Sequence, residues 1–438
     1  MDDADLVQRV YREFDIRALR PEQQSLYVNL DQVRGNIDAV PRLENTIRRA
    51  EDTSTCQVLA GHYGSGKSTE LLRLKQRLEA GQKPFFVVYF EGGEELDLND
   101  VDFLDVLIVI VKQMAAQLKD RAGINLKPGY FQDRWQRLKE FFTSEISLES
   151  VDLDFGMMTL AGVIKDSPDS RTKIRSLLEP DTSNWLAAAN DVISQAVQEL
   201  VKQGEAGLVV VIDDLDKLIV REHLGTGCNT DEYLFVNRAA QLTAFHCHVV
   251  YSMPLSLAYS HHEPAIKGSY GGYVPVVPMT RLAGRPPSPK PYLPGIRKFR
   301  EIIARRLKAA GAKQTEVFVS AKVRDDLIAL SGGQPKELMA LVRDAIVTHG
   351  LPVDRTSVQR AKTNGQREYA RQLRLDHWPI LEEIRGRGTF GRTKENELLF
   401  RELLQSRTIL QYVNKEEWYG LNPMVAALKP PGKRKSAR

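Results

Sequence analysis

Apolar positions along this chain fall into two patterns. Short unbroken runs at 57–60, 85–90, 208–212, 249–252 and 274–277 read as strands, and the continuous run at 208–212 is of the kind buried on both faces of a parallel sheet. Between them the spacing turns helical. Val40, Leu43 and Ile47 mark one face of a helix over 37–51. Leu71, Leu72, Leu74 and Leu78 mark a helix over 69–80, which Gly81 closes. Residues 102–118, 184–202 and 232–245 are expected as further helices. At the start, a polar helix is expected to end near Pro21, with an extended piece at 27–31. Residues 121–180 form an insertion, in which 133–142 is helix-like and 147–164 alternates as a hairpin through Val151, Leu153 and Phe155.

The segment Gly284-Arg285-Pro286-Pro287-Ser288-Pro289 breaks the pattern and predicts a linker. Helices follow near 296–310, 321–331 and 335–348, and a second boundary is expected over 350–365. The last block predicts helices at 377–384 and 395–404, then a hairpin of 408–412 with 417–421 turning at Asn414-Lys415. Helix, helix and hairpin in that order look like a winged helix. The expected layout is 1–285 for the main domain, 295–350 for a helical block, 367–428 for the winged helix, and a disordered basic tail at 429–438.

Composition narrows little. Hydrophobic residues make up 42% and charged residues 27%, as in ordinary globular chains. The 61 basic residues nearly balance the 57 acidic ones, so charge alone does not argue for nucleic acid. Cys56, Cys228 and Cys247 are widely spaced and form no C-x-x-C pair, which disfavours a disulfide framework or a zinc site. The acidic start has no apolar stretch behind it, and the longest apolar run, Val106 to Val111, is far short of a membrane span. A soluble, cytoplasmic protein with no membrane partner is expected.

Chemistry enters at the end of the first strand. Gly61-His62-Tyr63-Gly64-Ser65-Gly66-Lys67-Ser68, followed by Thr69, matches G-x-x-x-x-G-K-[ST] in full. Glycines let the backbone curl so that several N–H groups face one anion. The helix behind adds its positive end. Lys67 can reach the β- and γ-phosphates, and the Ser68 hydroxyl can ligate Mg²⁺. The strand–loop–helix–strand order supplies the βαβ context that this phosphate-binding loop requires. ATP with Mg²⁺ is the expected ligand.

A second signal closes the strand at 208–212. Asp213 and Asp214 stand at its carboxyl end, where open parallel sheets bind ligands. Asp213 is expected to hold Mg²⁺ directly or through water, and Asp214 to polarise the attacking water. His246, Cys247 and His248 could ligate metal, as could His261-His262, but no carboxylate pattern accompanies either. No Gly-x-Ser-x-Gly motif supports a second catalytic site.

Taken together, these motifs resemble the AAA+/STAND branch of P-loop ATPases, including the origin-recognition ATPases. Val209 to Leu218 resembles that branch's acidic strand end. His248 to Ser252 resembles the next strand, and the resemblance implies that Ser252 senses the γ-phosphate. Residues 299–307 resemble the first helix of a lid. Gly333-Gln334-Pro335-Lys336 resembles the Gly-x-Pro turn of STAND proteins, which implies that Pro335 packs near the adenine. The implied fold is α/β: a P-loop NTPase parallel sheet flanked by helices, followed by an α-helical lid and a winged-helix domain.

Two departures matter. Lys336 stands where origin-type ATPases usually carry arginine. No arginine lies between Ser252 and Val274, where many AAA+ rings place a finger. The expected function is therefore a slowly hydrolysing ATP/ADP switch of the STAND type, controlling a separate effector or signalling protein, as in bacterial defence. A nucleotide-dependent oligomer would be compatible with it. The alternative is a DNA-binding initiator- or loader-like ATPase acting through the winged helix, its basic residues Arg385, Arg387, Arg392, Lys394, Arg401 and Arg407, and the tail.

Overall fold

The computed structural model describes residues 3–50, 53–126, 161–162, 165–223, 226–287 and 289–430. The helix and hairpin expected at 133–142 and 147–164 lie wholly or almost wholly outside these, as does most of the basic tail. A five-stranded sheet has the order β2-β3-β4-β1-β5, with β1 Cys56–Gly61, β2 Phe86–Glu91, β3 Leu208–Asp213, β4 His248–Pro254 and β5 Val276–Val277. Every residue of β3 and β4 is buried, which is why their sequences run apolar without alternation. β3 pairs in parallel with β2 on one side, Phe86 opposite Leu208 and Glu91 opposite Asp213. On its other side it pairs with β4, Val209 opposite His248. The Val249 N–H donates to Thr55 O at 2.8 Å, so β4 and β1 start side by side. The strand expected over 274–277 shrinks to two residues. Pro275 has no N–H to offer, though its carbonyl accepts from Ala60 N at 2.9 Å.

By its contacts the chain divides into two units. One holds Ala39–Ala60 and Glu70–Pro275, the other the residues up to Asp38, Gly61–Thr69 and Val276 onward. In the first, Phe103–Ala122 is a helix because Asp102 caps it and Gly123, at φ 64°, ends it. Helix Pro168–Leu178 buries Ile174 and Leu178 and is held by ion pairs as well. Arg171, only 2% exposed, reaches Asp97 at 2.7 Å and Asp100 at 3.1 Å. The single helix expected over 232–245 is instead broken into Thr230–Glu232, a π-turn at Tyr233–Asn237, and Ala239–Leu242. At the break, Arg238 is held by Asp102 at 3.1 Å, Glu179 at 2.6 Å and the Tyr233 hydroxyl at 2.6 Å.

The second unit packs helices Asp3–Glu13, Leu293–Ala310, Ala321–Leu330, Pro335–His349 and Arg355–Gln372 around Val10, Phe14, Phe299, Ile303, Leu327, Leu338 and Val342. Pro21 opens a 3₁₀ turn at Pro21–Leu26 rather than ending a helix, since a first-turn residue needs no N–H partner. The boundary expected over 350–365 is mostly helix, because Asp354 caps Arg355–Gln372 through Ser357 N at 2.8 Å. Helices Trp378–Arg387 and Glu397–Gln405 precede an antiparallel hairpin of β6 Ile409–Asn414 and β7 Glu416–Leu421. Lys415 makes its turn at φ 56°. Among the described residues no helix is long and apolar enough to cross a membrane.

Phe299 is fully buried at the centre of the helical core. Phe299→Ala should cost about 3–5 kcal/mol, read as a lowered urea midpoint at unchanged slope.

Candidate nucleotide-binding site

The phosphate loop begins where β1 stops and ends where helix Lys67–Leu78 starts. Gly64 and Gly66 sit at φ 80° and 104°, in the left-handed region that side chains avoid. Gly61 is needed for another reason, since a Cβ there would meet Val277 O at 2.7 Å. Lys67 is 4% exposed and turns its ammonium back on the loop, donating to Gly61 O at 2.8 Å and His62 O at 2.9 Å. The Ser65 hydroxyl is buried with no hydrogen-bond partner among the described residues, as expected of a group awaiting a ligand. Ser68 and Thr69 are half-buried in the first helical turn, where the N–H groups have no helical partner. Thr69 Oγ1 accepts from Leu19 N at 3.2 Å.

The turn expected at Gly333 to Lys336 belongs to the same unit and touches the loop. Gly332 and Gly333 have φ of 61° and 81°, and a Cβ at Gly333 would fall 1.8 Å from Thr280 O. Pro335 starts helix Pro335–His349, as its lack of an N–H favours. The next residue makes the contact: Lys336 N–H donates to Gly64 O at 3.4 Å, and its ammonium reaches the Tyr63 hydroxyl at 2.5 Å. The Arg407 guanidinium stands 5.2 Å from the centre of the same ring.

Strand β6 joins this cluster. Gln411 N–H donates to His62 Nε2 at 2.8 Å, and Gln411 O accepts from Met279 N at 3.0 Å. The Tyr412 hydroxyl donates to Gly332 O at 2.8 Å. Leu410, Tyr412 and Trp418 form an apolar cluster with Met279. Trp418 and Tyr419 are thus packing residues of the hairpin, both buried. His62 is 2% exposed, and burial, then Lys67 and Arg407, push its pKa down to about 3. A neutral ring is what its acceptor role needs.

In the other unit, Asp213, Asp214 and Asp216 bring carboxylate oxygens within 4.8 Å of one another. Asp213 is wholly buried and accepts from the Tyr89 hydroxyl at 2.9 Å and from Asp214 N at 2.7 Å. Asp214 sits at φ 68° and pairs with Lys217 at 2.5 Å. Ser252, also wholly buried, accepts from Asp216 N at 3.4 Å and so holds the turn that follows β3.

Several residues here were not among the sequence candidates. Glu91 ends β2 opposite Asp213, and burial, then Asp214 and Asp213, raise its pKa. The signal was present: an acidic residue closing an apolar strand, as in β3. Gly92 follows it, where a Cβ would come within 3.0 Å of Asp213 O. Arg34, 3% exposed, donates through Nη2 to Ser65 O and through Nε to Thr280 Oγ1 at 3.2 Å. Nothing in its neighbourhood of the sequence marks it. Of the basic residues expected as a nucleic-acid face, Arg401 is buried and Arg385 is tied to Glu382 at 2.6 Å.

No protein-family model matches the chain, and no curated protein does. Solved structures resemble it along most of its length at low identity. A Walker-type ATPase of Pyrococcus abyssi is 13% identical, with 94% of this chain and 98% of that chain covered and a TM-score of 0.47. The ORC2 protein of Aeropyrum pernix, solved as ADPNP–ADP complexes, is 11% identical, with 94% of each chain covered and a TM-score of 0.46. The ORC1 protein of the same organism, solved in complex with DNA, is 15% identical, with 88% of each chain covered and a TM-score of 0.38. At such likeness, chemistry must be read from this chain's own residues. The sheet order, the loop and the acidic strand end make this a P-loop NTPase fold.

The His62 ring links stability to pH. Its pKa is 6.5 when free and about 3 in the fold, so the unfolded chain binds the proton more readily. The stabilisation is complete above about pH 6.5 and is lost as pH falls toward 3, by roughly 2 kcal/mol at pH 5. His62→Gln should therefore lose less melting temperature than the wild type between pH 7 and pH 5. Equal losses would show that His62 does not carry the effect.

Proposed function

We propose that this chain is a Mg²⁺-dependent ATPase working as a switch of the STAND type. Bound nucleotide would set the position of the winged-helix hairpin and, through it, of a separate effector or signalling protein. The observation that carries the reading is the hydrogen bond from Gln411 N–H to His62 at 2.8 Å. It joins β6 to the second residue of the phosphate loop, so a loop that reshapes around phosphates must move its acceptor relative to the hairpin.

In this reading Lys67 leaves the carbonyls of Gly61 and His62 for the phosphates, and Thr69 and the loop N–H groups bind them alongside. Pro335 packs near the base. Ser68 and Asp213 each carry an oxygen that would serve as a ligand to Mg²⁺, which when bound would neutralise charge on the phosphates. The gathered carboxylates of Asp213, Asp214 and Asp216 are a donor set of the hard oxygen type that Mg²⁺ prefers. Asp214 polarises the attacking water, and Ser252 reports the γ-phosphate to the turn at Asp216. The shorter reach of Asp214, and its tether to Lys217, fit slow turnover.

A second reading has the same ATPase engage DNA as an initiator or loader. It is favoured by Arg387, Arg392, Lys394 and Lys415, which are exposed on the winged helix. If all four neutralise phosphates, duplex affinity should fall with log salt at a slope of roughly −3 to −4.

Nucleotide titration tests the shared core. Lys67→Ala should abolish tight ATP binding, and Asp214→Ala should bind ATP yet lose turnover by at least about 100-fold. Unchanged ATP affinity in Lys67→Ala would place the site elsewhere. Scattering and gel-filtration profiles in ADP and in a non-hydrolysable ATP analogue separate the outputs. Identical shape and assembly in both would rule out the switch, and salt-dependent duplex binding would favour the second reading.

A further inference from the structure

We propose that Arg34 is a positioning residue of the phosphate loop: by drawing Ser65 O outward it turns the Gly66 N–H toward the phosphates. The inference rests on the nucleotide-binding reading and adds to it a residue outside the loop motif.

In a trans peptide the carbonyl and the following N–H point in opposite directions. Whatever fixes Ser65 O therefore fixes the Gly66 N–H. Gly66 is at φ 104° with no side chain to restrict it, so its peptide plane needs an external hold. The Arg34 guanidinium supplies one, with Nη2 donating to Ser65 O. A Cβ built at Gly66 would lie 3.7 Å from that same nitrogen, so the guanidinium lies directly against this part of the loop.

The guanidinium is itself held. Its Nε donates to Thr280 Oγ1 at 3.2 Å, and Thr280 N–H donates to Gly333 O at 3.2 Å. Gly333 begins the turn that ends at Lys336, whose N–H donates to Gly64 O at 3.4 Å. The hydrogen bonds thus close a circuit from Arg34 through Ser65, Gly64, Lys336, Gly333 and Thr280 back to Arg34. A planar fork can meet a carbonyl and a hydroxyl at once, whereas an ammonium is a single point without that fixed geometry. At 3% exposure the guanidinium also places a desolvated positive charge behind the loop, which favours an anion in front of it.

The test is the affinity for ATP and for ADP of the wild type, Arg34→Met and Arg34→Lys, with ligand-free melting curves. Arg34→Met keeps the stem and loses the fork, and Arg34→Lys keeps the charge. The expected result is ATP and ADP weakened in parallel by about tenfold or more in Arg34→Met, with Arg34→Lys between it and the wild type. Arg34→Met binding both nucleotides within twofold of the wild type overturns the proposal. If Arg34→Met fails to fold, Arg34→Lys decides, measured below its own melting temperature. Severalfold loss there supports the role, and wild-type affinity overturns it. A wild type that binds neither nucleotide would refute the nucleotide site as a whole, an outcome distinct from either variant result.

Discussion

A loop that offers its N–H groups to an anion must turn its carbonyls away, and each carbonyl turned into protein needs a donor. This constraint organises the unit that contains Gly61–Thr69. Lys67 meets the carbonyls of Gly61 and His62, Arg34 meets that of Ser65, and the Lys336 N–H meets that of Gly64. Lys67 lies in the loop itself, and the other two donors come from distant stretches of chain. Protein groups alone thus satisfy these four carbonyls, with the Lys67 ammonium on those of Gly61 and His62.

The same constraint explains why the winged-helix hairpin lies where it does. His62 is a loop residue, nearly fully buried, and its ring accepts a backbone N–H of β6. A protonated ring could not accept that bond, and burial keeps it neutral. Gly35, at φ 88°, admits Val413 to a distance a Cβ could not share. Gly332 and Gly333 do likewise for Leu410 and Thr280. Close backbone approach, rather than a large apolar surface, ties the loop, the lid turn and the hairpin into one cluster.

The sheet solves a different problem. Burying β3 on both faces leaves its polar end as the one place where carboxylates can sit. Asp213 is then fixed by Tyr89 and by the next peptide N–H, and Asp214 by Lys217. Ser252 holds the turn beyond them. Burial first, and then Asp214 and Asp213, raise the pKa of Glu91 beside them.

Much of this was legible in the sequence because it is local. Apolar runs gave the strands, helical spacing gave the lid helices at 293–310, 321–330 and 335–349, and the glycine spacing marked the loop. Misreadings arose where a local signal had two meanings. Pro21 starts a turn as readily as it ends a helix, and the polar stretch after Gly350 became the helix that Asp354 caps. Residues 232–245 had helical spacing but lost continuity to the ion pairs of Arg238. The sequence by itself determined where the glycine loop and the acidic strand end lie, since that follows from residue type and short spacing. Only the tertiary structure decided which groups hold them in place. Arg34 and Lys336 reach backbone carbonyls far away in the chain, and a hydrogen bond to a backbone carbonyl leaves no trace in the identity of the residue that receives it.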